Sequence, residues 1–284
     1  MKKTIFVISI ALLTFITVNL HAIQPAVQPL VINAPKMDCP AFTIYDIPFA
    51  KDILIILCPQ KPLRGNPWVL AGSFYDMRNS AVLNMTRTEL ELVKEGFYVI
   101  AFGLGNTFGA PDAIVKWDLV YKEMTEKYGM SKRVALMGVS REGLPIARWA
   151  ANNPGKVSCL YMDRAVCDFK SWPGGKYGVG KGSQNEWKNL ITAYNFSSEE
   201  EAMSYNQNPI DLAPKLVADK VPILYIAGDQ DNIVPFSENG ERMKQVYEKL
   251  GGTFEVIMSK GEGHWPHGLL DPTPVINFIK KYEL

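Results

Sequence analysis

Short apolar segments alternate with amphipathic ones along most of this chain. Segments such as 97–102 (FYVIAF), 133–138 (RVALMG) and 221–228 (VPILYIAG) are apolar at nearly every position, which is typical of strands buried on both faces. Helical patterns lie between such segments, for example from 112 to 129. Buried strands separated by helices predict an α/β fold, with a mostly parallel central sheet flanked by helices.

The N-terminal residues have the pattern of a secretory signal peptide. Two lysines precede an apolar run from Ile5 to Leu20, and Ala22 offers a small residue for cleavage. The run is shorter than the roughly 20 residues that a membrane-spanning helix needs. We therefore expect residues 1–22 to be removed, residues 23–284 to form one domain, and the mature protein to be periplasmic or secreted, without a membrane anchor.

The composition narrows the possible functions. With 47% hydrophobic and 21% charged residues, the chain can build a sizeable core. A formal net charge of +1 gives no electrostatic basis for binding nucleic acid or a membrane surface. The four cysteines lack the spacing of a zinc site, although Cys159 and Cys167 could either form a disulfide or remain buried thiols. We expect no metal and no organic cofactor.

The segment VALMGVSREGL (134–144) places Ser140 where a predicted strand passes into a helix. A serine at this position can be an ordinary helix N-cap. It can also be a nucleophile, because a nucleophile elbow combines a tight strand-to-helix turn with small flanking residues. Gly138 meets that need on the strand side, whereas Glu142 takes the usual glycine position and the glycine is displaced to Gly143. The segment alone leaves both interpretations open.

A serine nucleophile needs a general base, and the base needs an acid to orient it. His264 and His267 both lie in the loop SKGEGHWPHG after the last predicted strand; we predict that His264 is the base and that His267 shapes the pocket. The loop GDQDNIVP supplies Asp231 as the predicted acid, and Asp229 is expected to cap its own turn. Asp163, at the end of an earlier strand, is the reserve acid.

Ser140, Asp231 and His264 occur in this order, each after a predicted strand, and the chain resembles an α/β-hydrolase over its whole mature length. Its elbow GVSREG resembles the G-x-S-R-x-G motif of glucuronoyl esterases, including the displaced glycine. The segments GDQDNIVP and GEGH are similar to those of prolyl-oligopeptidase-type and dienelactone-hydrolase-like domains. The resemblance implies an α/β-hydrolase fold and a serine hydrolase.

The implied acyl transfer needs hydrogen-bond donors for a tetrahedral oxyanion. We expect one from the backbone N–H of Arg141 and a second from Ser73 or Phe74, in the loop after the strand PWVLAG. The Arg141 side chain could assist the oxyanion or pair with a carboxylate such as Glu142, and both alternatives stay open.

A long connection of about 168–211 follows the strand after the nucleophile helix, and its length is typical of a lid insertion. Trp172 and Trp187 lie in it among several lysines. These tryptophans are predicted to bind substrate, with His267 nearby; alternatively they pack the insertion onto the domain.

Together these features predict a secreted or periplasmic serine hydrolase that cleaves a carboxylic ester through an acyl-enzyme. The expected substrate is a small-molecule or oligosaccharide ester, and we expect a decorated carbohydrate. The alternatives are a prolyl-oligopeptidase-like serine peptidase and a non-catalytic binding protein with the hydrolase fold.

Overall fold

The computed structural model describes residues 29–30, 32–72 and 87–284. The predicted signal peptide and the predicted oxyanion donors Ser73 and Phe74 lie outside these residues. No helix within the described ranges is long and apolar enough to cross a membrane.

The described residues form one nine-stranded sheet. Its strands, in chain order, are β1 Lys36–Asp38, β2 Phe42–Phe49, β3 Asp52–Pro59, β4 Trp68–Ala71, β5 Tyr98–Ala101, β6 Val134–Val139, β7 Val157–Asp163, β8 Ile223–Gly228 and β9 Phe254–Ser259. The spatial order is β1-β2-β3-β5-β4-β6-β7-β8-β9. Pairing is antiparallel from β1 through β3 to β5 and parallel from β5 to β9.

Helices cover both faces of this sheet. They are α1 Arg87–Lys94, α2 Pro111–Lys122, α3 Gly143–Asn152, α4 Gln184–Ala193, α5 Glu199–Ser204, α6 Pro209–Ala218, α7 Gly240–Lys249 and α8 Thr273–Glu283. Helices α1 and α8 contribute to the core on one face, and α2, α3, α6 and α7 contribute to the core on the other. The predicted α/β-hydrolase fold is therefore confirmed in its central sheet and its flanking helices.

The two cysteines that could have formed a disulfide are free thiols. Cys159 points into the core beside α1 and α8, whereas Cys167 belongs to the core on the opposite face. Burial raises the pKa of both thiols above its ordinary value. The buried-thiol alternative therefore describes this pair.

The long connection after β7 is an ordered insertion that packs onto the domain through a small separate core. Residues 168–211 contain α4, α5 and the first turn of α6. Phe169, Trp187 and Leu190 are buried together there, and the Phe169 and Trp187 rings pack edge to face, with 6.0 Å between centroids. The structure thus supplies a packed cap, while its action as a lid stays a prediction.

One buried side chain joins this insertion to the loop after β8. The Asn239 amide oxygen accepts hydrogen bonds from the backbone N–H groups of Cys167 and Asp168, at 2.9 and 3.3 Å. Its nitrogen donates to Ser171 Oγ at 2.9 Å and to the Pro235 carbonyl at 3.0 Å. Asn239 is fully buried, so its hydrogen-bond partners have no contact with bulk water in the folded protein.

Substitution Asn239→Ala should therefore lower the free energy of unfolding by about 3 kcal/mol, since several buried polar groups lose their hydrogen-bond partner. Urea unfolding followed by tryptophan fluorescence measures this loss. The matched control is Asn232→Ala, in which an exposed side chain of the same loop is removed and the stability should stay at the wild-type value. Equal stability of the two variants would contradict the assignment of Asn239 as the anchor.

Candidate active site

Ser140 lies at the sharp turn between β6 and α3. Its φ of +53° is in the left-handed region that residues other than glycine rarely adopt. A single 3-10 turn, Ser140–Glu142, leads into the helix. This strained strand-to-helix geometry is that of a nucleophile elbow.

Both glycines of the segment are required by close packing around this turn. A Cβ on Gly138 would lie 2.6 Å from Ile146 Cδ1, and a Cβ on Gly143 would lie 2.5 Å from the carbonyl oxygen of Val166. The displaced glycine therefore allows the start of α3 to approach the backbone that follows β7.

The structure brings the three predicted triad residues together. Ser140 Oγ lies 2.9 Å from His264 Nε2, and His264 Nδ1 lies 2.8 Å from Asp231 Oδ2. The residues are only 9%, 5% and 8% exposed, respectively. The Ser140 hydroxyl thus bonds to an imidazole and makes no helix-capping hydrogen bond, so the N-cap alternative does not describe it.

Asp231 is held in place by its own loop. Its Oδ1 accepts hydrogen bonds from the backbone N–H groups of Ile233 and Val234, both at 2.9 Å, which leaves Oδ2 for the imidazole. Such a carboxylate fixes the orientation and tautomer of the histidine and stabilises the imidazolium that forms when the histidine takes a proton.

The other candidate acids have different partners. Asp229 accepts a hydrogen bond from the Gly261 N–H at 2.7 Å and is exposed. Asp163 is fully buried and bonds to Arg164 and to the Gly268 N–H. Burial raises the pKa of Asp163 to about 6, against the opposing effects of these partners. Asp231 is therefore the acid placed to orient His264.

His267 lies beside the triad. Its ring packs edge to face on that of His264, with 5.0 Å between centroids, and its Nδ1 is 3.8 Å from Asp163 Oδ2. Burial, followed by the nearby His264 and Arg164, lowers the pKa of His267 to about 4. His267 is therefore a neutral ring beside the triad at ordinary pH, and its predicted roles in shaping a pocket and contacting substrate stay predictions.

The Arg141 side chain reaches the insertion. Its Nη1 donates to Asn106 Oδ1 at 3.0 Å and lies 3.5 Å from Glu186 Oε2, at the start of α4. The guanidinium also lies 5.3 Å from the centroid of the Phe108 ring. Glu186 is thus the carboxylate within ion-pair distance, and the charge of the neighbouring Glu142 also acts on the guanidinium. The sequence does not reveal this pairing, because Glu186 belongs to a distant insertion.

The two predicted substrate-binding tryptophans differ in environment. Trp187 is 8% exposed within the core of the insertion. Its ring is used in packing there, and the predicted contact of Trp187 with substrate stays a prediction. Trp172 is half-buried, and its ring lies 6.3 Å from that of Phe108, between centroids. Trp172 is therefore connected to the nucleophile turn through Phe108 and Arg141.

Trp265 is an aromatic residue of the site that the sequence interpretation did not single out. Its ring packs edge to face on His264, with 4.7 Å between centroids, and it is 61% exposed. A large aromatic directly after the predicted base, in a loop containing several glycines, was the signal that could have identified it.

Glu142 is a buried carboxyl within the elbow. The residue is 3% exposed, and its Oε2 has no hydrogen-bond partner among the described residues. A Cβ on Gly72, at the end of β4, would lie 2.4 Å from this oxygen. Burial raises the pKa of Glu142 to about 7, although the neighbouring Arg141 charge opposes the shift.

The chain matches the model of the prolyl oligopeptidase family over residues 111–273, a range that contains Ser140, Asp231 and His264. A search of curated protein sequences finds no match.

Solved structures share the fold at low sequence identity. A puromycin hydrolase is 16% identical with a TM-score of 0.58, and the match covers 89% of this chain but only 38% of that chain. A truncated carbohydrate esterase from gut microbiota is 17% identical with a TM-score of 0.59, over 82% of this chain and 91% of the other. An esterase from Pyrococcus furiosus is 16% identical with a TM-score of 0.56, and the match covers 89% of this chain and 100% of that chain.

The raised pKa of Glu142 predicts a pH-dependent stability. The folded state binds the proton more tightly than the unfolded state, whose pKa is near 4.5, so wild-type stability falls as the pH rises from about 4.5 to about 7. The full loss is about 3 kcal/mol above that range. Substitution Glu142→Gln removes this titration. The melting temperature of the variant minus that of the wild type should therefore increase between pH 5 and pH 8.5. A constant difference between the two proteins across this range, measured by calorimetry, would contradict the assignment.

Proposed function

The chain belongs to the prolyl oligopeptidase family of serine hydrolases, and we propose that it cleaves carboxylic esters of decorated carbohydrates through an acyl-enzyme on Ser140. The observation that carries the proposal is the continuous hydrogen-bonded chain from Ser140 through His264 to Asp231. A family member of this fold with such a buried chain has a nucleophile, a base and an orienting acid already assembled.

In the proposed mechanism, Ser140 Oγ attacks the acyl carbonyl while His264 Nε2 takes its proton. Asp231 stabilises the imidazolium, which then gives the proton to the leaving alcohol. Water, activated by the same imidazole, attacks the acyl-enzyme, releases the acid and restores Ser140. The backbone N–H of Arg141 is the proposed first oxyanion donor, with the second from Ser73 or Phe74.

Ester cleavage is favoured by the extent of the structural matches. The fold match spans 91% of the carbohydrate esterase chain and 100% of the Pyrococcus furiosus esterase chain. It spans only 38% of the puromycin hydrolase chain, so this chain is similar to only a part of that protein. A peptidase activity is the second candidate, and the family match is the observation in its favour.

The proposed carbohydrate substrate depends on the insertion. Half-buried Trp172 contacts Phe108, and Tyr177 and Lys181 are exposed on the same segment. Aromatic rings stack on the apolar faces of sugars, and lysine supplies a point charge for a carboxylate. The periplasmic or secreted location proposed from residues 1–22 would bring the enzyme to such glycans.

The triad roles predict a specific pattern of lost activity on p-nitrophenyl acetate. Ser140→Ala and His264→Ala should each lower kcat by at least about 1,000-fold, because members of a catalytic unit fail together. Asp231→Asn should lower kcat by at least about 100-fold, since the imidazole loses its orienting partner.

Asp229→Asn is the matched control, and it should keep nearly the wild-type rate. A larger loss in Asp229→Asn than in Asp231→Asn would show that the acid is misassigned. An active Ser140→Ala variant would exclude the acyl-enzyme. Hydrolysis of aminoacyl-nitroanilides in preference to nitrophenyl esters would favour the peptidase.

The substrate proposal predicts a selective effect of Trp172→Ala. Its kcat/KM should fall about 10-fold on acetylated or methyl-esterified oligosaccharides, equivalent to one lost aromatic contact of about 1.4 kcal/mol. The rate on simple aryl acetates should change little. Trp187→Phe is the control, because it keeps an aromatic ring in the core of the insertion. An equal loss on both substrate classes would identify Trp172 as a structural residue only.

A further inference from the structure

A buried arginine joins the carboxyl ends of three neighbouring strands beside the triad. Arg164 directly follows β7, and its backbone N–H donates to the Ile226 carbonyl of β8 at 2.8 Å. Its φ is +45°, in the left-handed region, so the chain bends sharply away from the sheet at this residue. The Arg164 side chain is completely buried.

The guanidinium of Arg164 is held between two carboxylates. Its Nη1 donates to Asp163 Oδ1 at 3.0 Å, and its Nη2 donates to Glu262 Oε2. Asp163 is also completely buried, whereas the Glu262 side chain is 38% exposed. A buried arginine requires such partners, because the loss of its hydration is offset only by close, hydrogen-bonded opposite charges.

Both carboxylates act on the loop that carries His264. Glu262 lies in this loop, two residues before the histidine, and Asp163 Oδ2 accepts a hydrogen bond from the Gly268 N–H, four residues after it. The neighbouring residues Asp163 and Arg164 therefore hold the histidine loop by hydrogen bonds both before and after His264.

The same loop packs tightly against the loop that carries Asp231. The Gln230 N–H donates to the Glu262 carbonyl at 2.9 Å. A Cβ on Gly228 would lie 2.5 Å from the carbonyl oxygens of Glu262 and Gly263, and 3.1 Å from Arg164 Nε. Arg164 thus lies where the acid loop and the histidine loop meet.

We propose that Arg164 is a positioning residue for the hydrolytic reaction, which holds Glu262, and through Glu262 the histidine loop, so that His264 stays within hydrogen-bonding reach of Ser140. This inference rests on the proposed function of the triad. A displacement of the base by about 1 Å is enough to slow catalysis about 100-fold, so a loosened loop is expected to lower the rate without abolishing substrate binding.

The test uses Glu262, because its partial exposure allows substitution without burying a new group. Glu262→Ala removes the acceptor for Arg164 Nη2 and should lower kcat for p-nitrophenyl acetate about 10-fold, with KM within about twofold of the wild type. Glu262→Gln keeps a neutral oxygen acceptor and should recover part of this loss. The control Glu255→Ala removes an exposed carboxylate on β9, 3.6 Å from Lys281 Nζ, and should keep the wild-type kcat.

The expected order of kcat is therefore wild type, Glu262→Gln, Glu262→Ala, measured at a temperature at which circular dichroism shows all three proteins to be folded. A wild-type kcat in Glu262→Ala would overturn the proposal, as would an effect confined to KM or a glutamine variant no faster than the alanine variant. Arg164→Lys should resemble Glu262→Ala, because an ammonium lacks the planar fork that reaches two carboxylates. Ser140→Ala distinguishes a failure of the proposed triad from a failure of the positioning role. If Ser140→Ala is inactive while Glu262→Ala is fully active, the triad assignment holds and only the positioning role of Arg164 is wrong.

Discussion

The close approach of α3 to the ends of β6 and β7 determines where the nucleophile lies. It depends on the missing side chains at Gly138 and Gly143, since a Cβ at either position would come within 2.6 Å of a neighbouring atom. The turn between these glycines forces Ser140 into a left-handed conformation. Such strain persists only where the surrounding packing overdetermines it, and here the strand, the helix and the backbone after β7 all do so.

The parallel half of the sheet then brings the remaining groups to the same edge. Strands β6, β8 and β9 all run in one direction, so the loops that leave their carboxyl ends meet above the sheet. Ser140, Asp231 and His264 come from these loops, and each bond between them spans more than thirty residues of sequence. The order of the strands in the sheet therefore brings the site residues together. Short sequence motifs determine only the local turns.

The sequence was sufficient to predict those features of the fold and of the site that depend on a local residue pattern. Uniformly apolar segments predicted the parallel strands, and the serine, aspartate and histidine were found because each follows such a segment. The sequence could not separate a packing role of Trp187 from a binding role, because an exposed binding tryptophan and a buried packing tryptophan have the same local signal in an insertion. The Arg141–Glu186 and Arg164–Glu262 pairs went unrecognised because their partners are far apart in the chain and carry no motif. Long-range charge pairing of this kind depends on the three-dimensional packing of loops.

The loop between β8 and α7 connects the chemistry of the site to its cap. At one end, Asp231 bonds to His264. At the other end, Asn239 bonds to the backbone of Cys167 and Asp168, while Glu238 accepts a hydrogen bond from Ser171 Oγ at 2.7 Å. Because both sets of contacts arise from one short segment, a displacement of the insertion would also displace Asp231, the acid that orients His264. These contacts thus favour a fixed insertion over a freely opening flap, and under the proposed function selectivity would reside in the side chains that it presents, Trp172 among them.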